Sequence, residues 1–279
     1  MVARLEPRPR EAEVGTVELL EAHHVRVEAH RGFELGDADR NMVEPCRVHM
    51  GMVAPMGEMI EFQSNGGTCP GYLATPASGS GPGVVIIQEW WGLVPHIKDV
   101  ADRFAKEGFV ALAPDLYRGK AASEPDEAGK YMMALNMAQA AKDMGGAVDE
   151  VANRGSTAGV GVVGFCMGGG LTLVLACQRP DKVKVACPFY GVIPWAEAQP
   201  DWSKLDAAVE GHYAQNDEFA SPEAVAELES KLKNLGKDVV MYVYPDTDHA
   251  FFNDTRPNYK PEAAADAWRR TLELFRQHL

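Results

Sequence analysis

The stretch that decides the fold is residues 159–168 (GVGVVGFCMG), followed by the small-residue run 169–176 (GGLTLVLA). The first run predicts a buried strand and the second a tightly packed helix, with Cys166 at the turn between them. Glycines two positions before and two positions after Cys166 allow the strand and the helix to approach closely around a strained turn. This pattern is typical of a nucleophile elbow, here with a cysteine whose thiolate would attack.

Composition and charge restrict the class of protein. The chain has 279 residues, of which 46% are hydrophobic and 24% charged, and this suits one large globular α/β domain. A formal net charge of −13 argues against a nucleic-acid partner, and no apolar run is long enough to span a membrane. The five cysteines are an odd number without metal-ligand spacing, so we expect a reduced, cytoplasmic setting and no metal site.

The chain divides into two parts by composition. Residues 1–51 are rich in Glu, Arg and His and lack apolar periodicity, so we expect a flexible extension. Residues 52–279 alternate strand and helix patterns, which predicts an α/β domain with a mainly parallel sheet covered by helices on both faces. The predicted strands are 59–63, 70–74, 84–88, 109–113, 159–163, 183–186, 209–214 and 239–244; the predicted helices are 97–107, 127–153 (with a break at 145–146), 169–176, 222–234 and 261–278.

Two further polar residues follow predicted strands. Asp217 lies after strand 209–214 and His249 after strand 239–244. The carboxyl ends of parallel strands meet at one edge of a sheet, so both side chains should lie near Cys166. The order Cys166, Asp217, His249 is the nucleophile–acid–base order of α/β-hydrolases. Cys166 would attack an acyl carbonyl, His249 would transfer the proton, and Asp217 would orient the imidazole.

Other residues compete for these roles. Asp246 and Asp248 could replace Asp217, although both are so close to His249 in sequence that loop capping suits them better. His96 lies in a loop on the same predicted edge, and its role stays open.

Five motifs resemble those of the dienelactone hydrolase (carboxymethylenebutenolidase) family. They are residues 88–93 (QEWWGL), 114–118 (PDLYR), 164–169 (GFCMGG), 190–191 (YG) and 248–251 (DHAF). The resemblance runs from about Met59 to the C-terminus. It implies a monomeric enzyme of aromatic-compound degradation with the α/β-hydrolase fold. Such an enzyme opens an enol-lactone that carries a carboxylate, giving a product such as maleylacetate, and needs no cofactor or metal.

The resemblance also assigns roles to individual residues. Glu89 would be held by an arginine until the substrate carboxylate competes for that arginine; the freed Glu89 would then take the thiol proton. The backbone N–H groups of Trp90 and Met167 would hold the oxyanion. Arg118 would bind the substrate carboxylate, with Trp91 and Tyr117 beside it.

One position departs from the family pattern. Asn253 occupies the place of the family's second carboxylate-binding arginine, and the nearest basic residue is Arg256. A less polar ester or lactone is therefore an alternative substrate. An enzyme acting on thioesters, or a hydrolase-fold protein that binds small molecules without turning them over, also stays open.

Overall fold

The structure is a computed structural model that describes residues 57–64, 66–193 and 199–279. The predicted extension, residues 1–51, lies outside the described residues. Eight strands form one sheet in the order β1-β2-β4-β3-β5-β6-β7-β8. Strand β2 pairs antiparallel with both β1 and β4, and the other five pairs are parallel, as the alternating pattern predicts.

The strands are β1 Gly57–Gln63, β2 Thr68–Ala74, β3 Gly83–Ile87, β4 Val110–Pro114, β5 Val160–Phe165, β6 Val183–Phe189, β7 Ala208–Asn216 and β8 Val239–Asp248. The helices are α1 Pro95–Lys106, α2 Pro125–Met133, α3 Met137–Arg154, α4 Met167–Gln178, α5 Pro222–Asn234 and α6 Pro261–His278. Among these described helices, none combines the length and apolar character that crossing a bilayer requires.

The central strands are buried on both faces. Val85 and Ile87 of β3 point into the apolar layer that contains side chains of α3 and α4. Val84 and Ile86 point to the opposite layer, which contains side chains of α1 and α6. Alternate residues of a strand face opposite sides, so an uninterrupted apolar run is what a sheet covered by helices on both faces requires.

Two predicted elements have different bounds in the structure. The single helix predicted over 127–153 is wrong: α2 ends at Met133, and Asn136 starts α3 by accepting a hydrogen bond of 3.0 Å from the Gln139 amide. The pair 145–146 does not interrupt α3. Instead, a methyl group on Gly146 would lie 2.3 Å from the Gln63 carbonyl oxygen, so that glycine lets α3 lie against the end of β1. The last strand is longer than predicted and runs to Asp248, directly before His249.

Candidate active site

Cys166 lies at the sharp turn between β5 and α4. Its backbone has φ 55° and ψ −119°, a conformation that costs a non-glycine residue roughly 1–3 kcal/mol. The turn is held because the Cys166 amide donates to the Phe189 carbonyl at 3.1 Å and the Cys166 carbonyl accepts from the Gly169 amide at 2.9 Å. A methyl group on Gly164 would lie 2.1 Å from the Gly168 carbonyl oxygen, so only glycine fits there. The predicted elbow therefore exists, with a half-buried cysteine at its apex.

Asp217 and His249 form a hydrogen-bonded pair beyond the ends of β7 and β8. Asp217 Oδ2 lies 2.8 Å from His249 Nδ1. Asp217 Oδ1 accepts from the amides of Phe219 and Ala220 at 2.9 and 3.1 Å. Burial raises the pKa of Asp217, but the hydrogen bond from His249 and these two amides outweigh it and lower the pKa. An ionised Asp217 fixes the proton on Nδ1 and leaves the other imidazole nitrogen for a second partner.

Cys166 is the candidate for that second partner, because both side chains line the same cavity and the sulfur interacts strongly enough with the imidazole to raise its pKa. Burial lowers the pKa of His249, but the hydrogen bonds to Asp217 and Cys166 outweigh it and raise the pKa to about 10. The raised pKa favours the charged imidazole, which can stabilise a negative charge on the neighbouring sulfur and later donate a proton. Of the three aspartates considered from the sequence, Asp217 is the one that bonds the ring; the side chains of Asp246 and Asp248 do not.

Glu89 follows β3 and is 1% exposed. Its Oε1 accepts from the Tyr190 hydroxyl at 3.3 Å, and its Oε2 accepts from Asn253 Nδ2 at 2.9 Å. No lysine or arginine among residues 57–64, 66–193 and 199–279 forms an ion pair with this carboxyl group. The residue in place of the family's second arginine thus holds Glu89 through a neutral amide.

A cavity of about 380 Å³ opens beside these side chains. The residues predicted from the sequence that line it are Glu89, Trp90, Trp91, Cys166, Met167 and His249. Met167 is the first residue of α4, where the backbone N–H has no partner within the helix. The Trp90 N–H donates to no acceptor in the described part of the chain. Both residues thus line the cavity with Cys166, and no acceptor in the described part of the chain takes either N–H, as the predicted oxyanion role requires.

Arg118 and Tyr117 do not line this cavity. Arg118 donates to both carboxylate oxygens of Asp143, each at 2.9 Å, and to the Thr68 carbonyl at 2.8 Å. Tyr117 is buried and directs its hydroxyl toward the Met167 sulfur at 3.6 Å. The expected carboxylate-binding arginine is already paired with a carboxylate of the protein.

Arg256 is the only lysine or arginine among the described residues that line the cavity. Its guanidinium carbon lies 4.0 Å from the centroid of the Trp91 ring, within the range of a cation–π contact. Its side chain has no carboxylate partner within the described ranges. An unpaired cation therefore stands in the wall of the cavity that contains Cys166.

Several contacts of the site were not predicted from the sequence. The Tyr190 ring packs edge-on against His249 at 5.2 Å between centroids, and Phe219 does the same at 5.2 Å. The motif containing Tyr190 was a signal for the first contact, but no sequence pattern indicated Phe219. His96, whose role was open, is buried between Phe165 and Phe252 and does not line the cavity.

Two other kinds of site find no support in the described residues. Their His, Cys, Asp and Glu side chains form no group that could hold a metal ion. A larger concavity of about 1030 Å³ is lined by Met132, Met137, Met144 and other residues, but it contains none of the candidate catalytic side chains.

Comparison with known proteins identifies the family. Residues 69–279 match the family model of the dienelactone hydrolase family. The chain belongs to the dienelactone hydrolase family. The match includes Cys166, Asp217, His249 and Glu89, and the resemblance inferred from the motifs is confirmed.

Relatives and solved structures agree with this assignment. The chain is 40% identical over 240 residues to "Protein usf" of Aquifex pyrophilus, covering 80% of this chain and 100% of that protein. It is 35% identical over 233 residues to a protein of Aquifex aeolicus named "Putative carboxymethylenebutenolidase", with the same coverage. The crystal structure of a "Putative Dienelactone Hydrolase" from Klebsiella pneumoniae superposes with a TM-score of 0.73 at 30% identity, covering 80% of this chain and 98% of that one. The α/β-hydrolase fold is confirmed.

Proposed function

We propose that this member of the dienelactone hydrolase family hydrolyses a carboxylic ester with Cys166 as nucleophile. An enol-lactone is the first candidate substrate. The observation that carries the proposal is the hydrogen-bonded pair Asp217–His249, whose imidazole lines the same cavity of about 380 Å³ as Cys166 at its elbow. Membership of the family and relatives named "Putative carboxymethylenebutenolidase" support a lactone as the substrate.

The reaction uses each group in turn. The Cys166 thiolate attacks the carbonyl carbon, and the Trp90 and Met167 N–H groups bind the oxygen that becomes negative. The intermediate collapses as the carbon–oxygen bond of the ester breaks, and His249 gives its proton to the leaving oxygen. Water then attacks the thioester as His249 takes one water proton, the carbon–sulfur bond breaks, and the acid product leaves with the Cys166 thiolate and the charged imidazole restored. Asp217 stabilises the charged imidazole throughout.

Arg256 is proposed to bind an anionic group of the substrate. A guanidinium binds a carboxylate strongly when neither is already paired, and Arg256 meets that condition whereas Arg118 does not. The contact with Trp91 holds the guanidinium at the cavity wall. An enol-lactone with a free carboxylate could then lie with its ring carbonyl at Cys166 and its carboxylate at Arg256.

A neutral ester is the second candidate substrate. Trp90, Trp91, Phe219 and Tyr190 give the cavity mostly aromatic walls, which suit an uncharged aryl or alkyl ester. We propose a monomer without a cofactor. The described cysteines are free thiols, which fits the cytoplasm as the proposed compartment.

Turnover of a panel of lactones and aryl esters tests the proposal. The wild-type protein should hydrolyse at least one lactone, and Cys166→Ala should reduce turnover at least about 1000-fold with an unchanged circular dichroism spectrum. A Cys166→Ala protein with near-normal turnover would refute the cysteine mechanism. A folded wild-type protein that binds panel members without hydrolysing any would favour the non-catalytic alternative.

A further inference from the structure

The surroundings of Glu89 differ from those that a substrate-triggered switch requires. Its carboxyl group is buried and is held by two uncharged donors, Asn253 and Tyr190. His96 lies nearby, but burial lowers its pKa more strongly than Glu89 and Asp254 raise it, so it is not a cation at neutral pH. Within the described part of the chain, no cationic side chain therefore pairs with Glu89, so an incoming carboxylate has none to remove.

The Asn253 amide is itself fixed in orientation. Its Oδ1 accepts two hydrogen bonds from Thr255, one from the backbone amide at 3.0 Å and one from the hydroxyl at 2.6 Å. Both donors require an oxygen at that position, which directs the Nδ2 group toward Glu89. Asn253 is 1% exposed, so water does not compete for this contact.

Glu89 and Cys166 lie on the same cavity. Tyr190 lines it as well, and its hydroxyl donates to Glu89 Oε1 at 3.3 Å. Burial raises the pKa of Tyr190, and the negative charges of Glu89 and Cys166 raise it further. A carboxylate in the same cavity is positioned to receive the thiol proton, directly or through one water: the S–H bond breaks, an O–H bond forms on Glu89, and the negative charge passes to sulfur.

We infer that Asn253 is a positioning residue that holds Glu89 ready to accept the Cys166 proton, so that thiolate formation in this chain does not depend on the charge of the substrate. The inference rests on the proposed function. A neutral amide keeps its hydrogen bond to Glu89 whether the cavity contains an ester or a carboxylate, whereas an arginine would exchange one carboxylate for another. Substrate charge then affects binding, through Arg256, and leaves activation unchanged.

The rate at which iodoacetamide alkylates Cys166 tests this inference without any turnover. In the wild-type protein, millimolar succinate should change the rate by less than about twofold relative to succinamide, its uncharged analogue. Asn253→Leu, which keeps the size but removes the donor, should lower the rate about tenfold with or without succinate. Asn253→Arg should make the alkylation rate depend on a carboxylate ligand, so that succinate accelerates alkylation about fivefold or more.

The outcomes separate this inference from the proposed function. Acceleration of the wild-type protein by succinate but not by succinamide would overturn the inference, as would an Asn253→Leu protein alkylated at the wild-type rate. If Asn253→Arg does not fold, the measurements on the wild-type protein and Asn253→Leu are sufficient to test the inference. Undiminished turnover in Cys166→Ala would instead refute the proposed function.

Discussion

At the scale of single residues, two arginines of equal charge have different surroundings. The Arg118 guanidinium is occupied by both oxygens of Asp143, and 42% of its side chain is exposed. Arg256 lies on the Trp91 ring at the wall of the cavity that contains Cys166, and no carboxylate among the described residues pairs with it. The sequence motif favoured Arg118 as the residue that binds the substrate carboxylate, whereas the structure favours Arg256. The motif could not show that Arg118 is already hydrogen-bonded to Asp143.

Arg256→Gln should therefore raise KM for a carboxylate-bearing lactone about tenfold, with little change for a neutral ester of similar size. Arg118→Gln serves as the matched control and should leave the ratio of the two KM values unchanged, because its side chain does not line the cavity. Steady-state kinetics with both substrates measure this ratio. A ratio that shifts in Arg118→Gln and not in Arg256→Gln would return the recognition role to Arg118.

At the scale of elements, the elbow and the loop after β6 constrain each other. Gly191 follows β6, and a methyl group there would lie 1.9 Å from the Cys166 carbonyl oxygen and 2.9 Å from Gly169 Cα. These two backbone atoms belong to the turn that contains Cys166 and cannot move away from an added methyl group without shifting that turn. The shape of the elbow therefore depends on a glycine in the loop after β6.

Gly191→Ala should destabilise the protein by about 1–3 kcal/mol and reduce turnover, because the added methyl group must displace the elbow. Gly129→Ala in α2 is the matched control: a methyl group there meets nothing within 4 Å. Alanine at a helix interior should stabilise by up to about 1 kcal/mol. Thermal unfolding and ester turnover of both variants check this. Wild-type stability and turnover in Gly191→Ala would show that the close packing is not needed.

Sequence patterns predicted most elements but not all of their bounds. The apolar run of β3 and the strand–turn–helix around Cys166 are local signals, and the structure has both. The split between α2 and α3 was not predicted, because Asn136 could be recognised as a helix cap only from its hydrogen bond in the structure. The two glycines at 145–146 led to a predicted break inside α3, where the structure has none. Gly146 reflects a tertiary contact with Gln63 that no local pattern records.

At the scale of the whole molecule, the parallel sheet brings distant residues to one edge. Glu89 follows β3, Cys166 follows β5, Asp217 follows β7 and His249 follows β8. The topology rule predicted that these strand ends would meet, and the hydrogen bond between Asp217 and His249 agrees with that prediction. The bond from Asn253 to Glu89 was not predicted, since it depends on the path of the loop after β8.

The central claim is that Cys166 carries the acyl group during turnover. Its most direct test is the intact mass of the protein, quenched during hydrolysis of a slowly released aryl ester and followed by peptide mapping. We expect a mass increase equal to the acyl group, located on the peptide with Cys166, and no increase in Cys166→Ala. Two results together would contradict an acyl group on Cys166. The wild-type protein would turn over steadily with an adduct on another residue and none on Cys166, and Cys166→Ala would stay active and carry the same adduct.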